Sequence, residues 1–535
     1  MPVFLRSVKN LRKRHAIGVT LVLLLPTTFA TDLTAQSLSD VHLNVVPRTD
    51  VERDRIAGVL SAPKSFDTPQ PFEALSAGAA STERTEEDGV FRKPSGGFDK
   101  ATELDFLLGE ALFDKLWVSS PSSTKASDGL GPLYNARACL RCHPGNGRGR
   151  PPEGEAALGG LKTSMFLKLS VPAAPEAPLT EIEAYLQALD GDAATPRARP
   201  VPAYGGQLQD RAVLGLEPEA KWTVNYEEIE VLLAGGETAF LRKPTFDIGD
   251  LRSGPLPDDL QVSPRVANPM IGLGLLEAIP VDDILALADP HDEDGDGISG
   301  RPNIVWSREF DTPMLGRFGW KAFNPTVEQQ SASALSSDIG ISSPLFPAAW
   351  GDCTVEQADC IAAPHGDGDV RGTEIDQTGL DLLTLYATHI GVPRRTEAGD
   401  AEVLLGKEVF HDIGCAACHQ PNFVTHRLAD EQDAPLSFQL IWPYTDLLLH
   451  DMGEGLADNR PEGRATGAEW RTAPLWGLGL TAQVSGHTYL LHDGRARSVL
   501  EAILWHGGEA EAARDAVVHL QPERRAALLR FLNSL

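Results

Sequence analysis

The sequence predicts a mainly α protein in which two similar helical domains face one another, with a partly β insertion between them. Three observations carry that expectation. A CxxCH pentad occurs twice, as Cys139-Leu140-Arg141-Cys142-His143 and Cys415-Ala416-Ala417-Cys418-His419. A related segment precedes each pentad, Leu108-Gly109-Glu110-Ala111-Leu112-Phe113 and Leu405-Gly406-Lys407-Glu408-Val409-Phe410. The chain also closes on apolar residues at helical spacing, Ala527, Leu528, Phe531, Leu532 and Leu535.

Each pentad reads as a covalent c-type haem site. Two thiols three positions apart on one helical turn can form thioethers to the two vinyl groups of one haem. The next side chain, His143 or His419, then lies beneath the iron as proximal ligand. A zinc knuckle would want further Cys or His nearby, and neither pentad has a second CxxC. Four of the six cysteines fall in the two pentads, so two covalently bound haem c groups are expected in two cytochrome c-like domains.

The elements follow in order. Residues 1–35 read as a secretory signal, with Arg6, Lys9, Arg12, Lys13 and Arg14 ahead of the apolar run Ala16–Leu25 and small-residue cleavage options at Ala30 or Ala35. The stretch to Ala30 contains Pro26 and is short for a span of ~20 residues, so a periplasmic protein with no membrane span after signal removal is expected. Residues 36–97, mixed and rich in Ser, Thr, Pro and charge, read as a loosely structured leader. A haem-one domain over 98–395 contains an inserted partly β region, about 171–265, in which Trp222–Tyr226 and Thr238–Phe246 look like strands. Pro269–Ala288 is apolar with a helical period. Residues 396–535 form the haem-two domain.

Two smaller features lie between the pentads. In Asp292-Glu293-Asp294-Gly295-Asp296-Gly297-Ile298 three carboxylates alternate around a tight turn. Calcium held by Asp292, Asp294, Asp296 and the Ile298 carbonyl is one reading; Asn303, where an EF-hand carries a bidentate Glu, leaves a solvated acidic turn as the other. Cys353 and Cys360 sit in a polar loop, where an oxidising compartment favours a disulfide over two free thiols.

With 47 Lys and Arg against 75 Asp and Glu the chain carries a formal charge of −28, and a cut after Ala30 removes only basic residues. Nucleic acid and anionic membrane surfaces are poor partners for it, whereas a basic electron donor would be steered favourably.

Several phrases together resemble one family. They are Gly131-Pro132-Leu133-Tyr134-Asn135-Ala136-Arg137, Arg317-Phe318-Gly319-Trp320-Lys321, Pro443-Tyr444-Thr445-Asp446 through His450-Asp451-Met452-Gly453, Trp470-Arg471-Thr472-Ala473-Pro474-Leu475-Trp476-Gly477 and Leu491-His492-Asp493-Gly494-Arg495. Over roughly residues 100–535 the chain is similar to the bacterial di-haem oxidoreductases named as peroxidases and also labelled thiol oxidoreductase-like. That group is related in turn to the di-haem cytochrome c peroxidase superfamily, whose wider members include a methylamine dehydrogenase maturation enzyme and the rubber oxygenases.

The resemblance implies site residues position by position. In the peroxidases the distal ligand of the second haem lies fourteen residues past the His of a His-Asp-Gly turn; here that is His506, counted from His492, with Met452 and His450 as competitors. Two His ligands would make haem two a low-potential electron-transfer centre. The peroxidases also have an inter-haem Trp, a Gln ten residues on and a Glu twenty on. Here Trp320 and Gln330 match, position 340 is Gly, and Asp338 is the nearest carboxylate for acid–base work. The function implied is reduction of hydrogen peroxide at haem one, with electrons delivered through haem two from a small periplasmic donor such as a cytochrome c or cupredoxin. A non-catalytic di-haem electron-transfer protein and a di-haem oxygenase acting on an organic substrate are the alternatives.

Overall fold

Two helix pairs repeat one local design. The computed structural model describes residues 38–85, 89–153, 164–190, 197–366 and 372–535, so the signal expected over residues 1–35 lies outside the described residues. The helix Lys100–Asp114 starts at Asp99, whose side chain accepts the Ala101 and Thr102 amides. The helix Ala401–Asp412 starts in the same way at Asp400, which accepts Glu402 and Val403. Each carries a glycine where a second helix crosses. A Cβ on Gly109 would run into the Leu382 carbonyl of the helix Gln377–Thr388, and one on Gly406 into the Ala527 carbonyl of the helix Pro522–Ser534. Aromatic pairs complete both crossings: Phe106 with Tyr386 at 4.8 Å and Phe410 with Phe531 at 5.3 Å between ring centroids. Each pentad follows the first helix of its own pair.

The expectation of a mainly α protein is corrected. Helix accounts for 31% and strand for 18% of the described residues, the strands falling in many small sheets. Most are two-stranded ribbons of two to four residues, such as Val45–Val46 with Arg427–Leu428 and Leu449–Asp451 with Glu469–Arg471. Long non-helical segments run through the interior, and their buried amides and carbonyls need partners, which these ribbons supply. The expected β region is present. Met165–Pro172 and Gln261–Val266 pair antiparallel at its two ends, and a hairpin of Lys221–Leu233 and Glu237–Gly249 fills its middle. The hairpin tip rests on the last two helices: the Ala234 amide donates to the Val518 carbonyl in the helix Glu511–His519, and Glu237 pairs with Arg525 of the C-terminal helix at 2.6 Å. The apolar stretch Pro269–Ala288 breaks into two short helices, Leu273–Glu277 and Val281–Leu285. Cys353 and Cys360 form a disulfide. Among the described residues no helix is long and apolar enough to cross a membrane.

Leu38–Leu535 pack as one unit. Within it, residues 38–97 hold a capped helix, Asp50–Leu60, and supply two buried carboxylates to the rest. Asp40 pairs with Arg317 at 2.7 Å and His426 at 2.8 Å. Glu73 pairs with Arg395 and Lys407, each at 2.6 Å.

Candidate haem sites

Four histidines of the resemblance divide by what their ring nitrogens touch. His143 Nδ1 lies 2.7 Å from the Asn268 carbonyl, His419 Nδ1 2.9 Å from that of Tyr444, and His506 Nδ1 2.7 Å from that of Ala502. A carbonyl only accepts, so each Nδ1 carries the proton and donates it, leaving the Nε2 lone pair for a metal. Burial pushes all three imidazoles below the usual histidine range, and so keeps them neutral near pH 7. For His419, at about 4, the Tyr444 carbonyl opposes burial while nearby His506 adds to it.

His450 is different. Nε2 lies 2.8 Å from Asp446 and Nδ1 2.7 Å from Glu509, with Cys418 Sγ at 3.5 Å. Burial disfavours its charge, but Asp446, Cys418 and Glu509 outweigh that and raise its pKa to about 12. With both nitrogens given to carboxylates it has no lone pair for iron. Met452 packs, partly buried, against the apolar cluster of Trp470 and Trp505.

Cys139, Cys142 and His143 open onto a cavity of about 360 Å³, walled also by Phe113, Met270, Trp320, Gln330, Asp338 and Arg148. The three peroxidase-pattern residues therefore share one space. Trp320 Nε1 donates to the Val266 carbonyl at 2.8 Å, and its ring stands edge-on to His492, whose imidazole stacks on Trp470 at 3.8 Å. Gln330 Oε1 accepts from Asn324 Nδ2 at 3.0 Å. Asp338 Oδ1 accepts from Gln207 Nε2 at 2.8 Å and Ser337 Oγ at 3.1 Å. The helix Val327–Ala334 that carries Gln330 runs into a π turn, Leu335–Ile339, which presents Asp338.

Sequence reasoning missed Arg148, five residues past His143. It is buried, its guanidinium lies 5.1 Å from the Trp320 ring centroid, and its Nη1 has no hydrogen-bond partner among the described residues. Burial alone lowers its pKa to about 10. An unpartnered buried cation on the cavity wall fits a ligand that brings anionic groups, as haem does with its propionates. The Gly-rich Gly145-Asn146-Gly147-Arg148-Gly149 run was the available signal.

The acidic loop is rearranged relative to expectation. Oxygens of Asp289, Asp292 and Asp294 lie within 4.8 Å of one another, whereas Asp296 accepts the Ile298 amide at 2.8 Å. The loop end reaches the surroundings of the second pentad: Ser299 Oγ donates to Glu509 at 2.6 Å, and Glu509 holds His450, which lies against Cys418.

No curated protein matches the chain. Among solved structures, a chain described as "Kuenenia stuttgartiensis Hydrazine Synthase Pressurized with 20 bar Xenon" is 16% identical, with a TM-score of 0.22. The match covers 36% of this chain and 65% of that one, and at that score it carries nothing for the site. Residues 73–535 match the family described as "Di-haem oxidoreductase, putative peroxidase", a span that holds both pentads, the cavity and the three imidazoles with free Nε2, and the chain belongs to that di-haem oxidoreductase family.

Proposed function

We propose that the protein is a secreted, periplasmic di-haem c-type oxidoreductase that reduces hydrogen peroxide at haem one with electrons passed through haem two. The observation that carries this reading is the shared cavity of His143, Trp320, Gln330 and Asp338. Cys139 and Cys142 would tether haem one, and Cys415 and Cys418 haem two. His143 would hold one iron, His419 and His506 the other. When bound, the haems supply irons that take up and release single electrons, and the iron left with an open position supplies the place where peroxide is reduced. The chain does the rest. Arg148 neutralises an acidic edge of the ligand, Gln330 offers an amide to a polar oxidant, and a carboxylate of the cavity wall moves a proton. Trp320, between the cavity and the His492–Trp470 stack, keeps an aromatic path open toward haem two. The acidic surface favours a small basic donor, a cytochrome c or cupredoxin.

Protein made with cytochrome c maturation should give two c-type haems per chain in a pyridine haemochrome assay, and Cys139→Ala or Cys415→Ala should each remove one. Half-reduced protein mixed with peroxide in a stopped-flow instrument should oxidise far faster than a simple bis-His cytochrome. Oxidation at that slow rate, with brisk dioxygen consumption on an organic substrate, would make the protein an oxygenase instead.

Calcium in the acidic loop belongs to the same reading. Metal analysis of protein purified without chelator is expected to find calcium, and Asp294→Ala to lose it. Equal thermal stability with and without chelator would leave a solvated turn.

A further inference from the structure

Position 340, where the peroxidase pattern carries its carboxylate, has no room for one. Gly340 has φ +76°, and a Cβ on it would meet the Gly131 Cα and the Leu133 carbonyl, each at 2.8 Å. The backbone there is closed by the chain ahead of the first pentad, so the acid–base group must come from elsewhere on the cavity wall.

We propose that Asp352, working beside Lys168, is the acid–base residue of the haem-one cavity. This rests on the peroxidase reading above. Asp352 adjoins the Cys353–Cys360 disulfide and lines the cavity together with Lys168, Ser337 and Asp338. Its hydrogen bonds to the amides of Gly206 at 2.7 Å and Gln207 at 2.9 Å both fall on Oδ2. The loop that donates them lies tight against the carboxylate: it turns at Gly205, which has φ +72° and would have a Cβ 2.5 Å from that same oxygen. Gln207 also donates its side-chain Nε2 to Asp338. One residue therefore fixes both carboxylates on one wall.

The two carboxylates are not equivalent. The Asp338 oxygen Oδ1 takes two side-chain donors, and its backbone carbonyl takes the Asn135 and Ala136 amides, so it is held as part of the wall. Each carboxylate keeps one oxygen clear of described hydrogen bonds, Oδ1 of Asp352 and Oδ2 of Asp338, but the bonded oxygen of Asp352 is held by backbone amides alone. The charged groups around it are Lys168 and Arg460, with Glu219 and Asp338 close by. Burial pushes its carboxyl up, and Lys168, the two amides and Arg460 pull against that. The balance favours the protonated form more than in an ordinary aspartate.

The step it would serve balances simply. A proton leaves one peroxide oxygen for Asp352 and passes to the other oxygen as the O–O bond breaks, releasing one water. Two electrons from the donor and two further protons turn the remaining oxygen into the second water. Lys168 beside the carboxylate favours its ionised form, which is the form that accepts the proton.

Cyanide separates this role from peroxide turnover, because hydrogen cyanide must lose a proton to a nearby base as it binds ferric haem. Asp352→Asn should keep two haems and the parent spectrum, slow cyanide association at haem one by about tenfold or more, and slow peroxide reduction by roughly 10² or more. Lys168→Met should move the midpoint of the pH profile for cyanide association upward, since a cation has been taken from beside a carboxyl. It also carries the test if Asp352→Asn fails to load haem one. Parent-like cyanide kinetics in Asp352→Asn, or an unmoved profile in Lys168→Met, overturns the proposal, as does Asp338→Asn alone reproducing the loss. Slowed cyanide binding in a protein whose parent form does not turn over peroxide would leave the proton role standing and remove the peroxidase reading.

Discussion

Replacing His506 by Ala is expected to convert haem two from low-spin to high-spin while exogenous ligands still bind at haem one. His506 follows the helix Val499–Leu504, and its Nδ1 proton goes to Ala502 one turn back. That hydrogen bond fixes the tautomer and aims Nε2 outward. His419, its neighbour, is prepared in the same way by Tyr444. Loss of the sixth ligand should also raise the reduction potential of haem two, since imidazole stabilises the ferric state. Absorption and electron paramagnetic resonance spectra read the change directly. His450→Asn should leave the spin state alone, because His450 is already bound on both sides by Asp446 and Glu509. A low-spin spectrum that survives His506→Ala and disappears in Met452→Ala would assign the ligand to Met452.

Glu73→Ala should cost about 3–5 kcal/mol of stability, the usual penalty for leaving buried charge without its partner. Arg395 and Lys407, both buried, would face each other with Glu73 gone, and the Tyr444 hydroxyl, 3.3 Å from the carboxylate, would lose its contact. Burial pushes the Glu73 carboxyl up, but Lys407 and Arg395 more than offset it and the folded pKa lies below the ordinary glutamate value. The stabilisation is therefore complete above the unfolded pKa and is lost as pH falls through the folded one. Urea melts at neutral pH and in acid should show the gap between parent and Glu73→Ala closing as pH drops. A gap that is constant with pH would mean the pair of cations is accommodated in some other way.

What the sequence disclosed was local. The pentads, the Gly-aromatic helices and the closing helix are spacings within one turn or two, and each is found within a few residues of its expected bounds. The two strands were visible as Trp222–Tyr226 and Thr238–Phe246, but not their pairing as a hairpin, and they run longer because cross-strand pairing extends past those runs. The two-residue ribbons could not be seen, since a run of two leaves no alternation to read. Glu73 sits in a polar stretch that looked like a leader, and only Arg395 and Lys407, far along the chain, explain its burial. Arg148 and Asp352 line one cavity, with Gln207 bridging Asp352 and Asp338 behind it, by tertiary packing alone. In the acidic loop the alternate Asp positions were legible, but Asp289, just ahead of them, is the one that approaches Asp292 and Asp294.

The ribbon between Val45–Val46 and Arg427–Leu428 has a consequence for the order of assembly. One of its strands lies near the start of the described chain and the other beyond the second pentad, so it closes only after most of the polypeptide has been made. The Glu73 pairs with Arg395 and Lys407 wait for the same late segment. Contacts of such long sequence separation form slowly, and until they do, both cysteine pairs remain on an open chain. With the haems attached covalently, as proposed, late closure of the N-terminal segment would set the window for attaching them, and variants that hasten folding should emerge with fewer.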